Sequence, residues 1–259
     1  MPEDPTPNAQ SPAPAAEAGL GAGALIVTPT YNEADNLPLF VTAVREVAPA
    51  AHILVVDDNS PDGTGELAED LSRTTPNLRV MHRPAKLGLG TAYVDAFTRG
   101  LGEGYDYFLE MDTDLSHDPR HLPLFFRAFA EGADVVAGSR NIPGGGVEGW
   151  GPGRHVLSKG GSFYSRHILG VHIRDLTTGY KGFTRHALEQ IDLAAVRSSG
   201  YSFQIEMTYR ALRKGLKVVE VPILFVDRRV GQSKMDRRIF AEAITAVWKL
   251  RLAALAGKL

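Results

Sequence analysis

The chain has 259 residues, 44% of them hydrophobic, which is enough for one large α/β domain with its own core. It contains no cysteine, which excludes disulfide bonds and thiolate metal sites. No run of about 18 uncharged apolar residues occurs, so the sequence predicts no membrane-spanning helix. Residues 1–23 are rich in proline, alanine and glycine, lack the apolar segment of a signal peptide, and are predicted to form a disordered tail.

The net charge of −2 hides an asymmetry between the two halves of the chain. Residues 1–149 carry 9 Lys and Arg against 22 Asp and Glu, a balance of −13, and residues 150–259 carry 19 against 8, a balance of +11. Either these charges are ordinary solvated surface, or the second half of the chain handles anions such as phosphates or an acidic membrane face.

The first part of the chain alternates predicted strands with predicted helices. The strands are expected at 24–31, 52–58, 78–83, 105–112 and 133–140, and the helices at 34–48, 62–73, 90–101 and 119–130. This alternation indicates an α/β fold with a doubly wound, mostly parallel sheet and helices on both faces. Such a sheet binds ligands at the carboxyl ends of its strands.

The rhythm changes after residue 140. We expect a flexible glycine-rich loop at 141–154, helices at 155–169, 203–215 and 235–256, a turn and strand at 176–185, and a strand at 216–228. The apolar residues predicted on one face of the last helix are Phe240, Ala243, Ile244, Val247, Trp248, Leu252 and Leu255. This amphipathic segment, at 239–259, lies in a membrane interface or packs against the sheet, and 155–170 is a second amphipathic candidate.

Several carboxylates follow predicted strands and should meet at one edge of the sheet. Asp112 and Asp114 end the fourth strand, and Glu33, Asp57 and Asp58 follow the first two strands. A lone D-x-D is weak, because acids after strands are often caps or turn residues. Several carboxylates at one edge repel each other unless a cation lies among them, and oxygen ligands suit Mg²⁺ or Mn²⁺ carrying a diphosphate.

The sequence lacks the motifs of several other kinds of binding or catalytic site. "GLGAGA" (19–24) precedes the first strand and "GLGTAY" (88–93) lacks the third glycine, so no dinucleotide fingerprint is present. The sequence also lacks a P-loop motif, a zinc spacing among its histidines and a G-x-S-x-G elbow.

A series of motifs carries a resemblance to a known family. In chain order they are VTPTYNEADNL, VVDDNSPDGT, R-x-x-K-x-G-L-G-T-A, MDTDLSHDP, GSR, GGGVEGW, TTGYKGF, YSFQIEM and R-x-x-G-x-S-K. From about residue 24 to 238 the chain resembles the GT-A-fold glycosyltransferases of family 2. Within that family it is similar to the dolichol-phosphate (polyprenol-phosphate) mannose synthases.

The resemblance implies transfer of mannose from GDP-mannose to a polyprenyl phosphate, with Mg²⁺ or Mn²⁺ as cofactor and inversion at C1. A phosphate acceptor is already anionic, so no dedicated general base is needed. Two alternatives stay open: a UDP-glucose-dependent polyprenyl-phosphate glucosyltransferase, and a nucleotide-sugar-binding module without catalysis.

The resemblance also assigns residues to the nucleotide and the metal. The nucleotide contacts implied are Pro29, Tyr31, Glu33, Asp57, Lys86, Gly88 and Asp112. Each of these residues also has a structural interpretation. Pro29 and Tyr31 could pack at the end of a strand, Asp57 could cap a helix, and Lys86 and Gly88 could belong to a surface loop. Asp112, Asp114 and Ser116 are the implied metal ligands, although the family often has glutamine in place of Ser116.

Basic residues complete the implied site. Arg140, Arg154 and Ser158 match positions near the acceptor phosphate, where the fork of an arginine fits phosphate oxygens. Arg228 (or Arg229) and Lys234 match a loop that closes over the diphosphate, and are expected to act in catalysis with Asp112 and Asp114.

Some members of the family carry membrane-spanning helices after the catalytic domain, and others recruit a separate membrane subunit. Since no spanning helix is predicted here, the chain resembles the second kind. We therefore expect a peripheral protein on the cytoplasmic face of a membrane, with a possible membrane-anchoring partner and no nucleic-acid partner.

Overall fold

The computed structural model describes residues 19–198, 200–227, 237–257 and 259. The strands are β1 (Ala24–Thr30), β2 (His52–Asp57), β3 (Leu78–His82), β4 (Tyr107–Glu110), β5 (Val135–Ser139), β6 (Gly146–Glu148), β7 (Lys181–Thr184), β8 (Val218–Pro222) and β9 (Leu224–Val226). The α-helices are α1 (Leu37–Val47), α2 (Thr64–Thr74), α3 (Leu89–Glu103), α4 (Leu122–Ala130), α5 (Pro152–Leu169), α6 (Arg185–Gln190), α7 (Gly200–Arg213) and α8 (Arg237–Leu255), with 3₁₀ turns at Pro119–His121 and Leu193–Ala195.

The main sheet has the strand order β3-β2-β1-β4-β7-β5-β8. All neighbours run parallel except β7, which is antiparallel to both β4 and β5. The predicted mostly parallel, doubly wound sheet is therefore confirmed, while the direction of β7 was not foreseen. The strand order reverses between β1 and β4, so the crevice at their carboxyl ends is the switch point where such sheets bind ligands.

Alternating side chains on the strands build a core on each face of the sheet. In β1, Ala24 and Ile26 pack with α1 and α4, whereas Leu25 and Val27 pack with α3, α6 and α7. All four side chains are fully buried, as expected for a strand covered on both faces. A third cluster joins α5, α7 and α8 at one end of the molecule.

Two predicted segments were wrong. The glycine-rich stretch 141–154 is not simply a loop, because it contains β6 and the first turn of α5. A Cβ atom at Gly145 would lie 2.3 Å from the carbonyl oxygen of Ser139, so the close backbone approach requires glycine here. The predicted strand 216–228 divides at Ile223, whose N–H donates to Ser139 O and whose carbonyl accepts from Gly146 N. The chain thereby leaves the main sheet and forms a small parallel sheet of β9 with β6.

The remaining differences are smaller. The predicted helix 119–130 begins as a 3₁₀ turn, and α6 was not predicted although Thr184 caps it by accepting the N–H of Ala187. The other predicted boundaries differ from the observed ones by a few residues.

The single apolar face predicted for the last helix is wrong for the residues that the structure describes. Val247 is fully buried against α5 and α7, together with Leu250. Trp248, Leu252 and Leu255 are 48%, 60% and 70% exposed. The side chains of Phe240, Ala243 and Ile244 lie outside the described part of the chain. Among the described helices, none has a long enough apolar run to cross a membrane.

The packing of α3 against the sheet predicts opposite effects for two glycines of the same helix. A Cβ at Gly100 would lie 2.6 Å from Phe108 Cε1 and 2.8 Å from Leu25 Cδ2, whereas Gly102 has open space around it. We expect Gly100→Ala to destabilise the protein by about 1–3 kcal/mol through overpacking. Gly102→Ala, the matched control, should stabilise it by up to about 1 kcal/mol through helix propensity. Urea denaturation measures both, and a stabilising Gly100→Ala would contradict this packing.

Candidate functional site

The turn after β4 carries the two aspartates of the D-x-D motif. The hydroxyls of Thr113 and Thr28 are hydrogen-bonded at 2.7 Å, which fixes the turn to the end of β1. Asp114 is buried and its Oδ1 accepts the N–H of Ser116 at 3.0 Å, with Leu115 between them in the left-handed region at φ +60°. The turn therefore stands at the switch point with its backbone fixed by side-chain contacts.

His117 contacts Asp112 and holds its backbone in place. This histidine was not identified as a site residue from the sequence. His117 is buried, and its Nδ1 accepts the backbone N–H of Asp112 at 3.0 Å. In neutral His117 the proton is therefore on Nε2, which lies 3.8 Å from Asp112 Oδ2. The ring stacks on Tyr180 and meets Phe225 edge-on. In the sequence, the only indication of this contact is a histidine in the segment SHDP, to which no role was assigned.

The turn offers oxygen ligands suited to a divalent cation. The buried hydroxyl oxygen of Ser116 has no hydrogen-bond partner among the described residues. Across those same residues, no group of three or more Asp, Glu, His or Cys side chains is placed to hold a metal. Mg²⁺ typically uses one or two carboxylates and completes its shell with water and substrate phosphates. Asp112, Asp114 and Ser116 fit that kind of site.

The ends of β1 and β2 place the predicted nucleotide residues together. Lys86 Nζ lies 3.8 Å from the centroid of the Tyr31 ring, a cation–π contact. The carboxylate of Asp57 accepts the hydroxyls of Thr30 and Ser60, at 2.9 and 2.6 Å. A cavity of about 390 Å³ is lined by Asp57 and by His82, its register partner on β3.

Two further predicted residues lie at the same edge. Glu33 accepts a hydrogen bond from Asn36 Nδ2 at 2.8 Å and anchors its own N–H on Thr64 Oγ1. Pro29 is half-buried, and its carbonyl is 3.4 Å from the Thr113 hydroxyl. These contacts tie the β1 turn to both neighbouring turns.

A buried ion pair beneath this edge holds the loop of Lys86 and Gly88. Arg83 Nη1 donates to Asp58 Oδ1 at 2.6 Å, with both side chains buried, and Arg83 Nη2 donates to Thr91 at the start of α3. The sequence places Asp58 at the sheet edge, and Arg83 opens the motif R-x-x-K-x-G-L-G-T-A. The pairing of the two was not predicted, because Arg83 follows a different strand.

The opposite end of the edge contains Arg140. Its Nε and Nη2 donate to both oxygens of Asp175 at 2.7 Å, and Nη2 also donates to Thr177 Oγ1 at 3.0 Å. Burial alone would raise the pKa of Asp175, but the charge and hydrogen bonds of Arg140 hold that pKa below its usual value. A cavity of about 150 Å³ lies beside Arg140, lined also by Trp150, Ser158 and Lys159.

The structure thus places Arg140 and Ser158 in the wall of one cavity. Tyr31, Asp112 and Asp114 follow the two strands of the switch point, β1 and β4, and Asp57 ends the neighbouring strand β2. Arg154 belongs to α5, but its side chain lies outside the described part of the chain. Arg228 and Lys234, together with the alternative Arg229, also lie outside the described residues, so their predicted roles stay predictions.

Buried polar side chains connect the two sides beneath the edge. Glu110 on β4 lies opposite Lys181 on β7, and both are fully buried. Lys181 Nζ donates to the carbonyl of Gln204 at 2.5 Å, and Gln204 Nε2 donates to Glu110 Oε2 at 2.6 Å. Burial raises the pKa of Glu110 to about 8 and lowers that of Lys181 to about 8. The sequence predicts a turn and a strand here and marks TTGYKGF as a family motif, but it assigns no role to Lys181.

Comparisons with known proteins identify the family of the chain. The model of the family described as Glycosyl transferase family 2 matches residues 25–192. A polyprenol monophosphomannose synthase of Mycolicibacterium smegmatis is 50% identical over 230 residues, which cover 88% of this chain and 87% of the relative. An undecaprenyl-phosphate mannosyltransferase of Micrococcus luteus is 46% identical over 230 residues, covering 89% of this chain and 94% of the relative.

A solved structure is similar in fold. Glucosyl-3-phosphoglycerate synthase from Mycobacterium tuberculosis, in complex with Mn²⁺, uridine diphosphate and glucosyl-3-phosphoglycerate, superposes with a TM-score of 0.64 at 19% identity. The match covers 92% of this chain and 81% of that one. At this identity the likeness establishes the fold alone, and it confirms the predicted GT-A-type fold.

The Arg140–Asp175 pair predicts a pH-dependent loss of stability. Replacing one member of a buried ion pair costs about 3–5 kcal/mol, which we expect for Arg140→Met at pH 7. In the native protein the lowered pKa of Asp175 contributes stability that is present above its unfolded pKa of about 3.9 and is lost as the pH falls through the folded pKa. Without Arg140, burial raises that pKa instead, so protonated Asp175 is tolerated and the loss should be smaller at pH 4.

Denaturation of this variant at pH 4 and pH 7 measures the difference. Arg127→Met is the matched control, because Arg127 forms an exposed pair with Glu131 that should contribute about 1 kcal/mol or less. An equal loss at both pH values for Arg140→Met would contradict the assigned role of Asp175.

Proposed function

We propose that this chain, which belongs to glycosyl transferase family 2, transfers mannose from GDP-mannose to a polyprenyl phosphate with inversion at C1. The observation that carries the proposal is the similarity of nearly the whole chain, at 50% and 46% identity, to two relatives named for mannosyl transfer to polyprenyl phosphates. The position of Asp112 and Asp114 at the switch point of the sheet supports it.

The acceptor decides what the protein must do. The oxygen of a phosphate monoester is anionic at neutral pH, so it attacks C1 of the sugar without a base that removes a proton. The new bond forms between that oxygen and C1 as the bond from C1 to the diphosphate breaks, and the electron pair leaves on the diphosphate. The chain's task is to align two anions for one in-line displacement and to stabilise the charge of the leaving group.

The acidic edge is proposed to hold the donor. Tyr31 and Asp57 would contact the nucleoside, and Pro29, Glu33 and Gly88 would line the pocket. Lys86, which contacts the Tyr31 ring, would lie beside the nucleotide. Asp112, Asp114 and Ser116 would hold Mg²⁺ or Mn²⁺, which supplies positive charge to the diphosphate. His117 keeps Asp112 in place by accepting its backbone N–H.

The basic side is proposed to hold the acceptor. Arg140 and Ser158 line the cavity of about 150 Å³, and Arg154 lies one helical turn before Ser158 on α5. Arg228 and Lys234 are proposed to close over the diphosphate. Charge-assisted hydrogen bonds from these groups would orient the attacking phosphate oxygen.

The exposed apolar face of α8 is proposed to contact the membrane that carries the lipid acceptor. Trp248, Leu252 and Leu255 face outward while Val247 packs inward, so the helix can lie on a bilayer without leaving the protein core. We propose a peripheral position on the cytoplasmic face, with a separate membrane subunit as a possible partner.

The reaction is tested by incubating the purified protein with a short polyprenyl phosphate, Mg²⁺ or Mn²⁺ and labelled GDP-mannose or UDP-glucose. We expect metal-dependent transfer of mannose into the organic phase. Asp114→Ala should lower the rate on the order of 100-fold or more, because the developing diphosphate charge loses its counter-charge. Asp118→Asn is the matched control from the same segment, because Asp118 caps a 3₁₀ turn and should change activity little.

Three outcomes would overturn parts of this proposal. Transfer of glucose would show that the donor is UDP-glucose and not GDP-mannose. Full activity of Asp114→Ala would show that Asp114 is not a required metal ligand. Nucleotide binding without transfer, in membranes that supply any partner, would indicate a binding module.

The membrane contact is tested by sedimentation with vesicles that contain anionic phospholipid. Burying a leucine contributes about 1.5–3 kcal/mol, so Leu252→Glu should lower vesicle binding at least about tenfold. Leu39→Glu is the matched control, since Leu39 is similarly exposed on α1. Equal binding of both variants would argue against α8 as the contact surface.

A further inference from the structure

Tyr93 on α3 carries a hydroxyl that the described protein leaves without a partner. The residue is fully buried, and its hydroxyl forms no hydrogen bond with any residue that the structure describes. Its ring stacks on Phe203 of α7, with 5.8 Å between the ring centroids. Because a buried hydroxyl is costly without a partner, such groups are normally paired with protein or with ordered water.

The packing of α3 on the sheet places Tyr93 beside Glu110, the last residue of β4. Phe97, one helical turn after Tyr93, meets Phe108 of β4 edge-on at 5.7 Å between ring centroids. Since α3 joins the parallel strands β3 and β4, it runs in the opposite direction to them. One turn back along α3 and two residues forward along β4 each span about 6 Å, so Tyr93 and Glu110 lie at the same level.

The Tyr93 hydroxyl points toward the D-x-D turn. Side chains on a helix lean toward its N-terminus, which for α3 is the end at the carboxyl edge of the sheet. Burial raises the pKa of Tyr93 well above its usual value, and the charges that raise it further are those of Asp112, Glu110 and Asp114. The hydroxyl therefore keeps its proton and is a hydrogen-bond donor beneath the turn.

Two more buried oxygens lack a partner at the same level. Gln204 Nε2 donates to Glu110 Oε2 at 2.6 Å, which brings the amide and the carboxylate together. The second oxygen of each group, Gln204 Oε1 and Glu110 Oε1, has no hydrogen-bond partner among the residues that the structure describes. Tyr93 belongs to the same group of side chains, because its ring stacks on Phe203, the residue directly before Gln204.

One water molecule fits all three groups. It would donate its two protons to Gln204 Oε1 and Glu110 Oε1 and accept the proton of the Tyr93 hydroxyl. Three hydrogen bonds are typical of a buried water. A larger ligand does not fit, since all three oxygens are buried.

We propose that a buried water lies between Tyr93, Glu110 and Gln204, and that Tyr93 acts through it as a positioning residue for the D-x-D turn. Glu110 ends β4 two residues before Asp112, so a water that fixes its carboxylate also fixes the start of the turn. The positioning role rests on the proposed function, in which the turn holds a cation, whereas the water site does not.

A crystal structure of the full chain, at a resolution that shows ordered waters, tests the water site. We expect a peak at about 2.7–3.2 Å from the Tyr93 hydroxyl, Glu110 Oε1 and Gln204 Oε1. The peak should be lost in Tyr93→Phe, which keeps the stacked ring and removes only the hydroxyl. A native structure without this peak would overturn the inference.

The positioning role is tested by Mn²⁺ binding in the presence of GDP, followed by electron paramagnetic resonance. Residues that hold metal ligands typically change metal affinity 10- to 100-fold, and Tyr93 acts one step further away, so we expect Tyr93→Phe to weaken Mn²⁺ binding about three- to tenfold. The KM for the donor should rise with it, while the KM for prenyl phosphate should not change.

Tyr209→Phe is the matched control. Tyr209 is also buried, and its hydroxyl also has no partner among the described residues, but it lies in the cluster that joins α5, α7 and α8. This variant should bind Mn²⁺ as the native protein does.

Equal Mn²⁺ affinity of Tyr93→Phe and the native protein would overturn the positioning role, as would an equal loss in Tyr209→Phe, which would indicate a general loosening of the core. A native protein that shows the water but binds no Mn²⁺ with GDP would support the water site while refuting the metal site of the proposed function.

Discussion

Strand β7 enters the sheet antiparallel between β4 and β5 and carries a lysine into the protein interior. Lys181 lies opposite Glu110 in the pairing of β7 with β4, and neither side chain reaches solvent. Their burial is tolerable because Lys181 donates to Gln204 O, and Gln204 in turn donates to Glu110. Removing any member would leave a buried polar group without its partner, which is among the costliest changes a core can undergo.

This arrangement fixes the two sides of the site relative to each other. Glu110 is followed directly by the turn with Asp112 and Asp114, and Lys181 is preceded by the segment that contains Asp175 and Thr177. Because β4 and β7 are paired and are also joined by the hydrogen bonds of Lys181 and Glu110 to Gln204, the carboxylate turn and the Arg140–Asp175 pair are held on one frame. A displacement reaction that must align two anions depends on such a frame.

The charge distribution along the chain follows the same division. The acidic first half supplies the carboxylates at the switch point, and the basic second half supplies Arg154, Arg228 and Lys234, which are proposed to bind phosphates. In our account the first half binds a cation with its nucleotide and the second binds phosphate. The buried pairs Arg83–Asp58 and Arg140–Asp175 are contacts within the protein, and each joins segments that follow different strands.

The alternation of strands and helices in the first part of the chain could be predicted, because it depends on local sequence patterns. Strands such as β1 and β2 are short apolar runs that end in polar residues, and their alternation with amphipathic helices gives a parallel sheet. The direction of β7 could not be predicted, because a short strand after a turn fits either orientation. The pairing of β6 with β9 was hidden for a similar reason, since it joins a glycine-rich segment to one about 80 residues away.

Individual side chains show the same limit. Asp112 and Asp114 were visible because their motif is local, whereas the role of His117 depends on Tyr180 and Phe225, which are distant in sequence. The last helix shows how packing overrides a pattern, because Val247 and Trp248 belong to one predicted stripe but face opposite environments. Periodicity identifies an amphipathic helix without deciding which of its apolar residues the core takes.

We propose that the turn after β4 holds a divalent cation together with the donor's diphosphate. An anomalous difference map from crystals of the protein grown with GDP and Mn²⁺ tests this directly. We expect one strong peak within coordination distance of the Asp112 and Asp114 carboxylates and of the diphosphate oxygens. A map in which GDP is bound while the Mn²⁺ peak is absent from this turn, or lies at another group of side chains, would contradict it.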